Sequence, residues 1–186
     1  MRLFVAIEIE AAVRERIEKM RQRLRREIGS VKGGIKWVEP ENTHLTLVFL
    51  GETEDQRVME VCRIVEQAAG AHQGFDLEIK GLGTFGKPVR VGWAGITPNP
   101  ALKALQRDIQ DGFEKAGWPV ENREFAGHLT LCRVKLPAAG DDLKRKINPL
   151  HDEPFGGSFV DSVCVFESHL SGGGPTYTVV QRTMLK

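Results

Sequence analysis

The chain has 186 residues, 41% hydrophobic and 27% charged, with 26 Lys and Arg against 25 Asp and Glu. That length supports one full core, or two small lobes sharing one. A net charge of +1 excludes polyanion binding driven by bulk charge, but not a local basic pocket.

In chain order, Leu3 to Ile9 reads as a strand, and acidic Glu8 arrives too early for a secretory leader. A helix is predicted next, because Val13, Ile17, Met20, Leu24 and Ile28 recur at spacings of four and three, with Gly29 or the Gly33-Gly34 pair ending it. Its excess of Arg and Lys reads as a solvated outer face rather than an RNA-backbone patch. Ile35 to Val38, a turn at Glu39-Pro40, and a strand from Thr43 to Leu50 stopped by Gly51 come next. A helix from Glu54 to Ala69, a strand at Phe75 to Ile79, a glycine-rich turn at 81 to 88 and a strand from Val89 to Ile96 follow. The remaining elements are a helix from Pro100 to Ala116, a strand from His128 to Val134, and a helix from Asp141 to Ile147. Two strands, Phe159 to Glu167 and Thr176 to Met184, close the chain. Strand, helix, strand, helix, strand thus occurs twice. The expected class is α+β: two similar lobes with antiparallel sheets and flanking helices, related by a pseudo-twofold, with a groove between them. The whole of 1–186 reads as one internally duplicated domain.

The repeat is marked by two hexapeptides, His44-Leu45-Thr46-Leu47-Val48-Phe49 and His128-Leu129-Thr130-Leu131-Cys132-Arg133. On a strand, side chains two apart share a face, so His44 points with Thr46 and His128 with Thr130, while the leucines face a core. Two imidazoles on opposite sides of a phosphorus atom can serve as base and acid in an in-line displacement. A stiff threonine hydroxyl beside each can hold the equatorial oxygens, a layout suited to phosphodiester cleavage without a metal or cofactor. By strand parity Arg133 and Phe49 fall on the leucine face. Arg133 therefore needs a bulge or the strand's end to reach the site, and Phe49 reads as core. By the same parity Cys132 falls on the groove side with His128, although packing is the simpler role for it. Trp37 and Tyr177 are candidates for nucleobase stacking.

The paired His-x-Thr strands resemble the 2H phosphoesterase superfamily, and the whole chain resembles its RNA 2′,3′-cyclic phosphodiesterases, also called 2′-5′ RNA ligases. The match runs from Arg2-Leu3-Phe4-Val5-Ala6-Ile7 through Trp37-Val38, Glu41-Asn42-Thr43, Phe49-Leu50-Gly51 and Gly81-Leu82-Gly83-Thr84-Phe85. It ends with Glu167-Ser168 and Gly174-Pro175-Thr176-Tyr177. The resemblance implies hydrolysis of RNA 2′,3′-cyclic phosphate ends, or of small cyclic nucleotides, to a 2′-phosphate. His44 would be proton donor, His128 proton acceptor, and Thr46 and Thr130 phosphate ligands. The near-symmetric site leaves the division of roles open. It departs from the family in having Gly127, not proline, before His128.

Gly81 to Lys87 mimics a phosphate-binding glycine loop, but a strand follows it rather than a helix, so it reads as a hairpin connection. His72, His151 and His169 have no motif around them. The three cysteines, Cys62, Cys132 and Cys164, form no Cys-x-x-Cys pair and read as reduced thiols of a cytoplasmic protein. A monomer with no membrane contact is expected. The rival readings are a 2′-5′ RNA ligase or 2′-5′ oligonucleotide phosphodiesterase, a metallohydrolase with both histidines as ligands, and a non-catalytic RNA-binding module.

Overall fold

A computed structural model describes residues 1–28, 33–121, 123–172 and 174–186. Nine strands join in a single antiparallel sheet: β1 (Arg2–Glu8), β2 (Ile35–Trp37), β3 (His44–Glu52), β4 (Phe75–Phe85), β5 (Val91–Ile96), β6 (His128–Val134), β7 (Pro154–Val160), β8 (Ser162–Ser171) and β9 (Gly174–Met184). Four α-helices are α1 (Ala11–Glu27), α2 (Val58–Ala69), α3 (Pro100–Lys115) and α4 (Pro137–Ile147). Each helix buries one apolar stripe, which is what folds it against the sheet. In α1 that stripe is Val13, Ile17, Met20 and Leu24; in α3 it is Leu102, Leu105, Ile109 and Phe113. Helix α3 starts where Asn99 accepts a hydrogen bond from the Leu102 N–H at 3.0 Å, with Pro100 in the first turn. Among the described residues no helix is long and apolar enough to cross a membrane.

The sheet order is β7-β4-β5-β6-β3-β1-β8-β9, with β2 added on β6. It reads as two four-stranded lobes, β7-β4-β5-β6 and β3-β1-β8-β9, meeting at the two motif strands. The lobes do not follow the halves of the chain. Strands cross from one half to the other: β4 pairs with β5, and β8 pairs with β1. Helix α1 likewise packs on β7 of the other lobe, and α3 on β3.

Several expectations change. The strand expected at Phe159 to Glu167 is two strands, β7 and β8, broken at Asp161. Pro154, Gly156 and Gly157 give the start of β7 the composition of a turn. Gly51 does not stop the first motif strand: it sits inside β3 at φ +71°, beside an irregularity in the β1 pairing. Strand β4 runs through the expected glycine turn. Gly81 has φ +80°, and a Cβ there would lie 2.2 Å from the His151 carbonyl oxygen; one on Gly83 would lie 2.2 Å from the Trp93 ring. These glycines serve packing, and the chain turns only after Phe85. Helix α1 is not solvated throughout, because Arg21 is buried, donating to the Val38 carbonyl and pairing with Glu18. Gly29 lies outside the described residues, and Ile28 caps α1.

Candidate active site

The motif strands touch through one pair, Leu45 opposite Leu129. Because the strands are antiparallel, that register sets His44 across from Thr130 and Thr46 across from His128. The two histidines are then diagonal neighbours on one face, where Cβ atoms lie about 7–8 Å apart. Leu45, Leu47, Leu129 and Leu131 are all buried on the other face. His44 and Thr46, His128 and Thr130 are each half-buried.

Both imidazoles are held from behind in the same manner. The His128 Nδ1–H donates to the Ala126 carbonyl at 2.7 Å, and the His44 ring bonds the backbone of Asn42, again two residues upstream. A carbonyl only accepts, so the Nδ1 of His128 carries the proton and Nε2 is left for chemistry. Asn42 is itself tied across the fold, its amide donating to the Pro175 carbonyl at 2.8 Å. Around His44 stand Phe4, stacked at 4.8 Å, Tyr177, edge-on at 5.2 Å, and Phe166. Phe85 meets His128 edge-on at 4.9 Å. This aromatic burial lowers the His44 pKa to about 4, against the opposing pull of the Asn42 hydrogen bond. Burial also lowers that of His128, helped by the charges of Arg123 and Arg133 and opposed by the bond to Ala126. In both rings burial favours the neutral imidazole.

Two cavities flank the motif strands. The larger, of about 620 Å³, is lined by Thr46, Phe49, His128, Thr130, Arg90 and Arg133 among others. The second, of about 540 Å³, holds His44 and Tyr177 with Glu8, Glu39 and Glu41 at its rim. Arg133 lines the larger cavity and lies close enough to His128 and to Tyr177 of the second for its charge to act on both.

Two β-bulges set which side chains reach this floor. On β3, Val5 pairs with Val48 but Ala6 with Thr46, so Leu47 is an extra residue. On β6, Gly92 pairs with Cys132 but Trp93 with Thr130, so Leu131 is extra. Each bulge resets the alternation. Arg133 therefore returns to the histidine face and lines the cavity, as does Phe49, which is 53% exposed rather than core. Cys132, expected to be able to line the groove, is turned fully into the core, where burial pushes its thiol up to about 12. Trp37 packs against the core from β2 and lines neither cavity. Arg90, Phe85 and Gln106 also line the larger cavity, and nothing in their sequence context signals it. His72 pairs with Asp108 at 2.9 Å and His169 with Glu167 at 3.4 Å, neither lining either cavity. Among the described residues no three His, Cys, Asp or Glu side chains come together in a way that could hold a metal ion.

A bilobed antiparallel sheet with one His-x-Thr strand from each lobe at its centre is the architecture of a two-histidine phosphoesterase. A family model described as the 2′-5′ RNA ligase superfamily matches residues 9–170. A protein named RNA 2′,3′-cyclic phosphodiesterase from Methanothermobacter thermautotrophicus is 31% identical, covering 96% of this chain and 95% of that one. A second of the same name, from Methanocaldococcus jannaschii, is 31% identical over 97% of this chain and 99% of its own. Among solved structures, one from Thermus thermophilus superposes with TM-score 0.82 at 26% identity, over 100% of this chain and 98% of that one. LigT of E. coli, complexed with 3′-AMP, gives 0.78 at 25% identity over 99% and 97%. The chain belongs to the 2′-5′ RNA ligase superfamily.

Proposed function

We propose that this protein hydrolyses RNA ends bearing a 2′,3′-cyclic phosphate to a 2′-phosphate and a free 3′-hydroxyl, acting as a cytoplasmic monomer. The observation that carries the reading is the crossed register of the motifs, His44 opposite Thr130 and Thr46 opposite His128. One tetrahedral phosphate at that crossing can meet both imidazoles and both hydroxyls at once. The names of the relatives from M. thermautotrophicus and M. jannaschii support the same substrate class.

In this reaction His128 takes a proton from water as its oxygen attacks phosphorus, and the bond to the 3′-oxygen breaks in line. His44 gives that oxygen a proton. Thr46 and Thr130 donate to the equatorial oxygens, where charge builds. Arg90 and Arg133 have no carboxylate partner among the described residues and line the same cavity, so their charge is free for the phosphate and the RNA chain. The exposed ring of Phe49 offers a stacking face to the base.

The test is to incubate the protein with a 2′,3′-cyclic nucleotide and locate the product phosphate by phosphorus NMR. A 2′-phosphate is expected, with turnover unchanged by EDTA. His44→Ala or His128→Ala should lower kcat about 10²- to 10⁴-fold while the fold is kept. A 3′-phosphate product, or full activity in both variants, overturns the reading.

A further inference from the structure

Gln106 is the one polar side chain on the buried stripe of α3, only 6% exposed, and it lines the larger cavity. Its place there is not accidental. The bulge in β3 leaves Leu47 without a counterpart on β1, and an unpaired backbone carbonyl needs a donor. Gln106 Nε2 supplies one to the Leu47 oxygen at 3.4 Å, and gives a second hydrogen bond to Gln110 Oε1 at 2.7 Å. Gln110 is held in turn, its Nε2 donating to the Glu121 carbonyl at 3.3 Å. A carbonyl oxygen can only accept, so the Gln106 amide cannot flip without setting oxygen against oxygen. Both Gln106 bonds come from its nitrogen. Its Oε1 has no partner among the described residues, on a side chain that lines the cavity.

We infer that Gln106 Oε1 is a specificity-determining acceptor, reading an exocyclic amino group on the nucleobase of the terminal nucleotide. The inference rests on the proposed function only in taking the larger cavity as the nucleoside chamber. The same cavity brings together Thr46, two residues after His44, the exposed face of Phe49 and Gln106, so a base near Phe49 shares its chamber with this oxygen. Cytosine and uracil have one shape and differ at C4, where cytosine carries an NH₂ donor and uracil an oxygen acceptor. Against a fixed acceptor the first makes a hydrogen bond and the second sets lone pair against lone pair. The mismatched base leaves that oxygen facing an acceptor and unpaired, and this difference is what discriminates.

The experiment measures kcat/KM on cytidine and uridine 2′,3′-cyclic phosphates, and equilibrium binding of 3′-CMP and 3′-UMP by calorimetry, for the wild type and Gln106→Met. Wild type should favour the cytidine compound about tenfold in both measurements, and the ratio should collapse towards one in Gln106→Met. Each ratio is taken within one protein, so a general loss of activity does not disturb it. If Gln106→Met does not fold, adenosine against inosine 2′,3′-cyclic phosphate in the wild type asks the same question, and adenosine should win. Equal handling of the pairs by the wild type, or a preference that survives Gln106→Met, overturns the inference. Preferred binding of 3′-CMP without hydrolysis of any cyclic phosphate would sink the proposed function and leave this inference standing; hydrolysis without preference does the reverse.

Discussion

At the scale of single residues, the site presents an acid that is not yet charged. Burial lowers the His44 pKa to about 4, its ring being closed in by Phe4, Tyr177 and Phe166. A proton donor must be charged, so the substrate has to bring that about. A phosphate dianion or monoanion beside the ring favours imidazolium and raises the pKa towards neutrality. Binding of a nucleoside 2′-phosphate at pH 7 should therefore take up protons. Calorimetry in two buffers of different ionisation enthalpy would show it, and zero uptake would contradict the assignment. The same burial carries a stability consequence. The unfolded ring has the ordinary value of 6.5 and the folded one about 4, so the fold favours the neutral form. The contribution is fully present above pH 6.5 and is lost as pH falls through the window towards 4. Denaturant unfolding of the unliganded protein should show this acid slope, and His44→Gln, which cannot ionise, should flatten it.

At the scale of elements, what decides the site is the pair of bulges. The motif strands were legible because His-Leu-Thr-Leu alternates cleanly, and His44, Thr46, His128 and Thr130 do share one face. Beyond the second leucine the alternation fails in both copies, at Leu47-Val48 and at Leu131-Cys132. Two apolar residues in succession are the trace a bulge leaves in sequence. Strict parity carried past that point sent Phe49 inward and allowed Cys132 outward, and the structure reverses both. Arg133 is reached only through the same irregularity. Gln106 and Arg90 were invisible, because which helix faces which strand depends on neighbours that periodicity does not name. The bulge in β3 gives Phe49 a measurable role. Its ring is half-exposed, so Phe49→Ala should leave thermal stability nearly unchanged. Losing a stacked base costs about 1–3 kcal/mol, so KM for cyclic nucleotides should rise about tenfold or more while kcat changes less. An unchanged KM would return Phe49 to a packing role.

For the whole molecule, the exchange of elements between lobes matters more than their likeness. Each repeat taken alone would be β1 to β4 or β5 to β9, and the sequence order suggests two lobes built in that way. The sheet instead gives β8 and β9 to the lobe of β1 and β3, and β4 to the lobe of β5, β6 and β7. A sequence specifies which face of a strand is apolar but not which strand lies beside it, so the exchange could not be read from pattern. It has a physical result. The core runs unbroken from Leu3 and Val5 through Leu45 and Leu129 to Leu77 and Ile79, and neither half of the chain can bury its own share. Chain halves 1–88 and 89–186 should each be largely unfolded when expressed separately. Mixed in equal amounts they should recover sheet circular dichroism and a single cooperative melt. The motif strands come one from each half, so cyclic phosphodiesterase activity should return only in the mixture. Two independently folded halves would show instead that each repeat closes on itself, and the shared floor beneath His44 and His128 would then have no reason to stay in register.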